Sequence, residues 1–307
     1  MSSTPVLLLF GAGANTGLAT ARKFAKEGYK VAAVSRHPSA ELKAVAHLIV
    51  PADLTDPSTV ETAFEEVTKK LGTPHVVVYN GQSPSSCCCS FLPGGQAARR
   101  CLDEAANIKT AYDGHLVPFD NPLVIPAARL TEVMAVSVVS AYTAARLAVK
   151  GWATLPASAS KTYMYTGNMQ NTQLFPASIG LGMGKNATAY FIETAATAYQ
   201  TAGKDYKFYY VDERAADGES IMLGIDGEAH ALEFWKLAHK IEGQSHWSWT
   251  FVKGDVAKGE DGTYVRARAF VDREYRGGGL PNLPEDGMSY TELMAGLKSG
   301  KIKWENA

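Results

Sequence analysis

Val6 to Phe10 is a continuous apolar run of strand length that ends in a cluster of glycines. Beyond the cluster, Leu18, Ala21, Phe24 and Ala25 recur at the spacing of one helix face, and Gly28 is placed to end that helix. The alternation then repeats. Short apolar runs predict strands at 31–34, 47–50, 75–79, 161–166 and 206–211. Between them, Val60, Ala63, Phe64, Val67 and Leu71 mark a helix stripe before Gly72, and longer helices are expected at about 127–150 and 185–202. The strands are apolar throughout rather than alternating, as in sheets covered by helices on both faces. The order predicts an α/β fold: a Rossmann-type, doubly wound parallel sheet with helices on both faces.

Two stretches break the rhythm. Residues 81–122 carry Pro84, Pro93, Gly94, Gly95, Pro118 and Pro122 and are long for one connection, a length usual in functional loops. From Asp212 onward the chain is less regular and rich in glycine and tryptophan. Ala231, Phe234, Trp235 and Ala238 have helical spacing, Trp247, Trp249 and Phe251 alternate as a strand would, and a terminal helix is expected near 289–299.

Composition narrows the function classes. Apolar residues make up 46% and charged residues 20% of the 307, the balance of a soluble globular protein. Thirty basic against 31 acidic side chains leave a net charge of −1, which argues against nucleic acid as a partner. No apolar run reaches the roughly 18 residues of a membrane span, and Met1–Pro5 carries no basic leader, so the expectation is a cytoplasmic protein with no membrane partner. Cys87, Cys88 and Cys89 are consecutive and Cys101 stands apart, a poor spacing for zinc ligands; no metal is expected, and the thiols read as ordinary loop side chains.

The first chemistry-bearing motif is the turn after the first strand, Gly11-Ala-Gly13-Ala-Asn15-Thr16-Gly17-Leu18-Ala19. Glycines permit a tight turn and close approach of backbone to a pyrophosphate, whose charge the N–H groups and dipole of the next helix stabilise. The position between an N-terminal strand and an amphipathic helix is the context such a motif requires. At the end of the second strand, enzymes that prefer NAD place a carboxylate on the ribose 2′-hydroxyl. Here Ser35-Arg36-His37 offers Arg36, suited instead to a 2′-phosphate, so NADPH is the expected cofactor.

Read from Gly13, the turn is Gly-x-x-x-Gly-x-Ala, and in this it resembles the short-chain dehydrogenase/reductase superfamily, with Ala19 in place of the last glycine. The resemblance covers about residues 5–211. It implies that Asp53-Leu54 contacts the adenine ring, that Asn80-Gly81 lines the adenine ribose, and that Lys185 is the active-site lysine. It also implies a homodimer or homotetramer. On this reading residues 1–211 form the dinucleotide-binding domain, including the loop at 81–122, and 212–307 a substrate-side extension of the same domain.

The superfamily's proton relay is not matched. Its Tyr-x-x-x-Lys motif falls on Leu181-Gly-Met-Gly-Lys185, its serine position on Gly167, and its helix asparagine on Ser137. Tyr165, Thr166 and Asn168, at the end of the fifth strand, are the candidate replacements beside Lys185: a phenol as acid, and hydroxyl and amide as hydrogen-bond donors to a carbonyl or oxyanion. After the sixth strand the superfamily often has Pro-Gly, where this chain has Asp212-Glu213-Arg214. Three functions fit: an NADPH-dependent reductase of a carbonyl or imine in a small molecule, a redox-neutral cyclase, dehydratase or isomerase on the same scaffold, or a non-catalytic NADPH-binding regulator. The reductase is favoured.

Overall fold

A computed structural model describes residues 4–81, 117, 120–215, 221 and 225–253, all within one compact unit, Met1–Ala269. The four cysteines, nearly all of the 81–122 loop and the expected helix at 289–299 lie outside the described residues.

Seven strands form one parallel sheet in the order β3-β2-β1-β4-β5-β6-β7. They are β1 Val6–Phe10, β2 Lys30–Val34, β3 Leu48–Val50, β4 Val76–Tyr79, β5 Thr162–Thr166, β6 Lys207–Arg214 and β7 Ser248–Val252. The helices are α1 Thr16–Lys26, α2 Ala40–Val45, α3 Pro57–Leu71, α4 Ala127–Met134, α5 Ser140–Trp152, α6 Ile179–Thr201 and α7 Gly227–His239. A π-helical turn, Ala135–Val139, joins α4 to α5. Chain order reverses between β1 and β4, and that switch point is where sheets of this kind bind ligands, at the carboxyl ends of the strands.

The apolar runs become strands because both of their faces are covered. Leu7, Leu9, Val76, Val78, Met164 and Val211 pack with Phe24 of α1 and Phe234 of α7, while Leu8, Phe10, Val77, Tyr79, Tyr165 and Tyr210 face the α3, α5 and α6 side. Local signals set the ends. Asp56 caps α3 by accepting from Ser58 N at 2.9 Å, Pro57 opens it, and Gly72 follows it at φ +105°. Gly28, at φ +87°, follows the end of α1.

Two boundaries differ from the sequence expectation. Helix α6 starts at Ile179, six residues before the expected start, through a stretch holding Gly180, Gly182 and Gly184. Glycines lower helix propensity, but a Cβ at Gly184 would lie 2.3 Å from Ser137 Oγ, so close packing on the π turn outweighs it. Strand β6 continues past Val211 through three charged residues, all buried. The stretch Ala127–Trp152 is long and apolar enough to cross a membrane by length and composition; half of its most apolar window is buried inside the fold, as in a core helix.

Candidate active site

The glycine turn is built by close approaches. Gly11 has φ +69°, and a Cβ on it would lie 2.0 Å from Asn80 O. Asn80 binds the turn to β1: its Nδ2 donates to Gly11 O at 2.9 Å and its backbone N to Phe10 O at 2.9 Å. Gly17 meets Ala12 backbone in the same way, whereas a Cβ at Gly13 would touch nothing within 4 Å. The head of α1 therefore opens onto free space beside Gly13, which is the room a pyrophosphate requires.

Asn15 precedes α1 but does not cap it. Its Nδ2 donates to Ile225 O at 2.9 Å and its Oδ1 accepts from Gly227 N at 3.1 Å, clasping the start of α7. The first-turn N–H groups of α1 are left without a side-chain cap, the usual arrangement for an anion at a helix N-terminus. Thr16 and Leu18 are buried in that first turn. Between the turn and residues 225–228 lies a groove of about 250 Å³, which Arg22 also lines.

The adenine-side candidates follow the neighbouring strands. Arg36 stands two residues beyond β2 and is half-buried. Beyond β3, Leu54 is buried and its carbonyl accepts from Ser140 Oγ at 2.8 Å, while exposed Asp53 holds Thr55 N through Oδ1 at 3.1 Å. Gly81, after β4, packs against the Tyr79 ring. The fold thus gathers Gly11, Gly13, Arg36, Asp53, Leu54 and Asn80 at one edge of four adjacent strands.

The catalytic-side candidates lie at β5 and α6. Lys185 is fully buried; its Nζ donates to Thr166 O at 2.7 Å and sits 4.4 Å from the centroid of the Tyr165 ring. Burial holds its ammonium well below the ordinary lysine pKa, and the Asp212 carboxylate acts against that shift. Leu181 lies one turn earlier, so the tyrosine position presents an apolar side chain. Asn168 follows β5 and caps a short turn, accepting from Gln170 N at 3.0 Å.

Tyr165 is set in the core. Its ring belongs to a ladder Phe10–Tyr79–Tyr165–Tyr210 in register across four strands, with centroids 5.7 to 5.8 Å apart. Burial pushes its phenol above the usual range, against a weaker opposing hydrogen bond with Thr188. A phenol so placed resists ionisation, and the candidate acid is found as the floor beneath Lys185. Gly167, the serine position, abuts the same ladder: a Cβ there would fall 2.1 Å from the Tyr210 ring. The Tyr210 hydroxyl is engaged by Asn168, donating to its O at 2.7 Å and accepting from its N at 3.0 Å. Ser137 sits in the π turn, donating to Val133 O and accepting through its carbonyl from Thr188 at 2.7 Å.

The tip of β6 holds residues the sequence noted without a role. Asp212 is 3% exposed and accepts from Arg214 Nε; burial raises its pKa, while Arg214 and Lys185 lower it. Glu213 points to the opposite face, where Oε2 accepts from Asp226 N at 2.9 Å and lies 3.4 Å from His230 Nδ1. Its Oε1 is buried without a partner. Burial pushes Glu213 up to about 7 and His230 down to about 4, so His230 is neutral and donates its Nδ1–H to Asp226 O at 3.0 Å. The available signal was a strand pattern running on into three charged residues, which is unusual unless the charges are paired.

A glycine turn at the switch point of a parallel sheet, with a buried lysine at the β5 edge, defines a dinucleotide-binding α/β enzyme. The profile of the short chain dehydrogenase family matches residues 5–90. A short chain dehydrogenase/reductase of Cryptosporiopsis sp. (strain 8999) is 38% identical over 252 residues, which span 82% of this chain and 93% of that protein. The fold is shared with a 3-oxoacyl-(acyl-carrier protein) reductase of Brucella melitensis (TM-score 0.55, 15% identity, 78% of this chain and 91% of that one). It is shared equally with a metagenomic short-chain oxidoreductase in complex with NADP (TM-score 0.57, 15% identity, 80% and 97%). The chain belongs to the short-chain dehydrogenase/reductase family, whose members are oxidoreductases that use a nicotinamide cofactor.

Proposed function

We propose that the protein is an NADPH-dependent reductase of a carbonyl or imine in a small organic molecule. The observation that carries the cofactor choice is Arg36 beyond β2, where a carboxylate would repel a 2′-phosphate. Bound NADPH would supply a hydride. The chain's own part is to hold and orient. The uncapped N–H groups of α1 and the open space at Gly13 suit the pyrophosphate, Asp53 and Leu54 the adenine, Asn80 and Gly81 its ribose, and Lys185 the nicotinamide ribose. Thr166 and Asn168 are proposed as hydrogen-bond donors to the reacting group.

Leucine at position 181 supplies no proton, so the reading favours substrates that need none from the protein, an iminium above all. The same residue favours, as a second reading, a redox-neutral reaction on this scaffold by positioning and electrostatics. Exposed Tyr142 on α5 and Tyr190 on α6 support a homo-oligomer. The test is titration with NADPH and NADH, read by energy transfer from tryptophan to nicotinamide, followed by a screen of ketones and imines for cofactor oxidation. Binding of NADPH with oxidation by an imine or ketone supports the reductase. Substrate turnover without oxidation selects the redox-neutral reading, and binding of neither cofactor defeats the reductase and moves the search to redox-neutral chemistry.

A further inference from the structure

Three side-chain amides, those of Asn168, Gln170 and Asn186, tie the end of β5 to the first turns of α6, and a backbone group fixes which way each one faces. Asn168 Oδ1 accepts from Gln170 N at 3.0 Å, and a backbone N–H can only donate. Gln170 Nε2 donates to Ser178 Oγ at 2.7 Å and lies 3.5 Å from Ser178 O, so its Oε1 is left facing Asn168. Asn186, directly after Lys185, donates from Nδ2 to Gln170 O at 2.7 Å and to Gly182 O at 2.8 Å, and carbonyls can only accept. Gln170 and Ser178 are buried, whereas Asn168 is half-buried.

The consequence falls on Asn168. Its backbone N and O are both engaged by the Tyr210 hydroxyl and its Oδ1 by Gln170 N, so Nδ2 is the polar group it has left to offer. Nδ2 carries two hydrogens. One turns to Gln170 Oε1 at 3.5 Å, and the other has no partner among the described residues. We propose that Gln170 is a positioning residue: anchored through its side chain on Ser178, it holds the Asn168 amide so that the N–H, and not the oxygen, is presented to the substrate. The proposal rests on the reading of Asn168 as a donor to the reacting group. A donor fixed beforehand needs no reorganisation as charge develops on a substrate oxygen, whereas a freely turning amide also presents its own oxygen, which repels that charge.

Full-length 15N-labelled protein tests this without cofactor or substrate, the Asn168 side-chain amide signal being the one that Asn168→Asp removes. In the parent that amide should be as rigid as ordered backbone, with an order parameter of about 0.85. Gln170→Met keeps the backbone N–H but removes the side chain's bonds to Ser178 and Asn168, and the value should fall below about 0.6. An amide mobile in the parent, or equally ordered in both proteins, overturns the proposal. Should Gln170→Met fail to fold, Ser178→Ala decides, since it removes the hydroxyl that anchors Gln170: a loosened amide supports the proposal and an unchanged one overturns it. With the ketone or imine that oxidises NADPH in the screen, Gln170→Met should lower kcat about tenfold to a hundredfold and leave KM and NADPH affinity nearly unchanged. A loss confined to KM or to NADPH affinity overturns the positioning role. A parent whose Asn168 is held as expected, but which binds neither cofactor or keeps full turnover in Asn168→Ala, defeats the function reading and leaves the orientation of Asn168 by Gln170 standing.

Discussion

The Tyr210 ring occupies the space that a side chain on residue 167 would need, with a Cβ on Gly167 only 2.1 Å from its Cε1 atom. Position 167, which the resemblance aligns with the superfamily's serine, therefore has no room for a side chain beside the ring of the neighbouring strand. Gly167→Ser should destabilise the protein by roughly 1–3 kcal/mol through overpacking, read as a lower urea midpoint. Combining it with Tyr210→Ala should recover part of that loss, since the clash is with the ring; losses that simply add would show the two residues to be independent.

On the proposed reading, Arg36 sets cofactor choice through one charged contact with the 2′-phosphate. Arg36→Ala should weaken NADPH binding about tenfold to a hundredfold, the equivalent of ~1.5–3 kcal/mol for a hydrogen bond to a charged group, and leave NADH nearly unchanged. Fluorescence titration of both cofactors checks this, and an equal loss for both would point to a folding defect.

Lys185→Met should separate stability from function. Replacing a fully buried cation by an apolar chain of similar length removes a desolvation cost while leaving Asp212 paired with Arg214, so thermal stability should stay level or rise. Cofactor affinity should fall sharply in the same variant. A lower melting temperature would mean that the lysine's bond to Thr166 O supports the fold more than its burial costs.

Glu213 makes stability depend on pH. Its folded value of about 7 lies above the ordinary 4.5, so between those limits the folded chain keeps a proton that the unfolded chain has lost. That contribution to stability is full below 4.5 and is lost as pH rises through 7. Glu213→Gln should accordingly stabilise the protein by about 2 kcal/mol at pH 8 and by little at pH 5. His230, lowered to about 4, acts with the opposite sign between 4 and 6.5, so the difference between variant and parent, rather than either profile alone, is the quantity to measure.

The framework was legible because it rests on local rules. Apolar runs of strand length, helix stripes and the glycines at 28 and 72 each act within a few residues, and the sheet followed from their order. The places of the glycine turn and Arg36 beside their strands, and of Lys185 on α6, were legible for the same reason, since each follows from local strand and helix patterns. What escaped the sequence depends on contacts between distant segments. Gly184, within the early part of α6, packs against Ser137 across the π turn, and the Tyr165 ring lies between rings on the two neighbouring strands. The charges of β6 gained meaning only once β5 and α6 lay beside Asp212, and α7 beside Glu213.

Asn15 reaches 210 residues along the chain to Ile225 and 212 to Gly227. The turn after β1 is thus completed by a segment synthesised long after it, and β1 is flanked on one side by β4, where Leu7 pairs with Val76. Contacts of such sequence separation form late and slowly. During synthesis the nascent chain can shape the glycine turn early, but it acquires the finished turn, the proposed phosphate site, only when residue 227 has emerged and docked. Tight cofactor capture would then report a chain that has folded through at least α7, so that binding itself distinguishes complete molecules from partial ones.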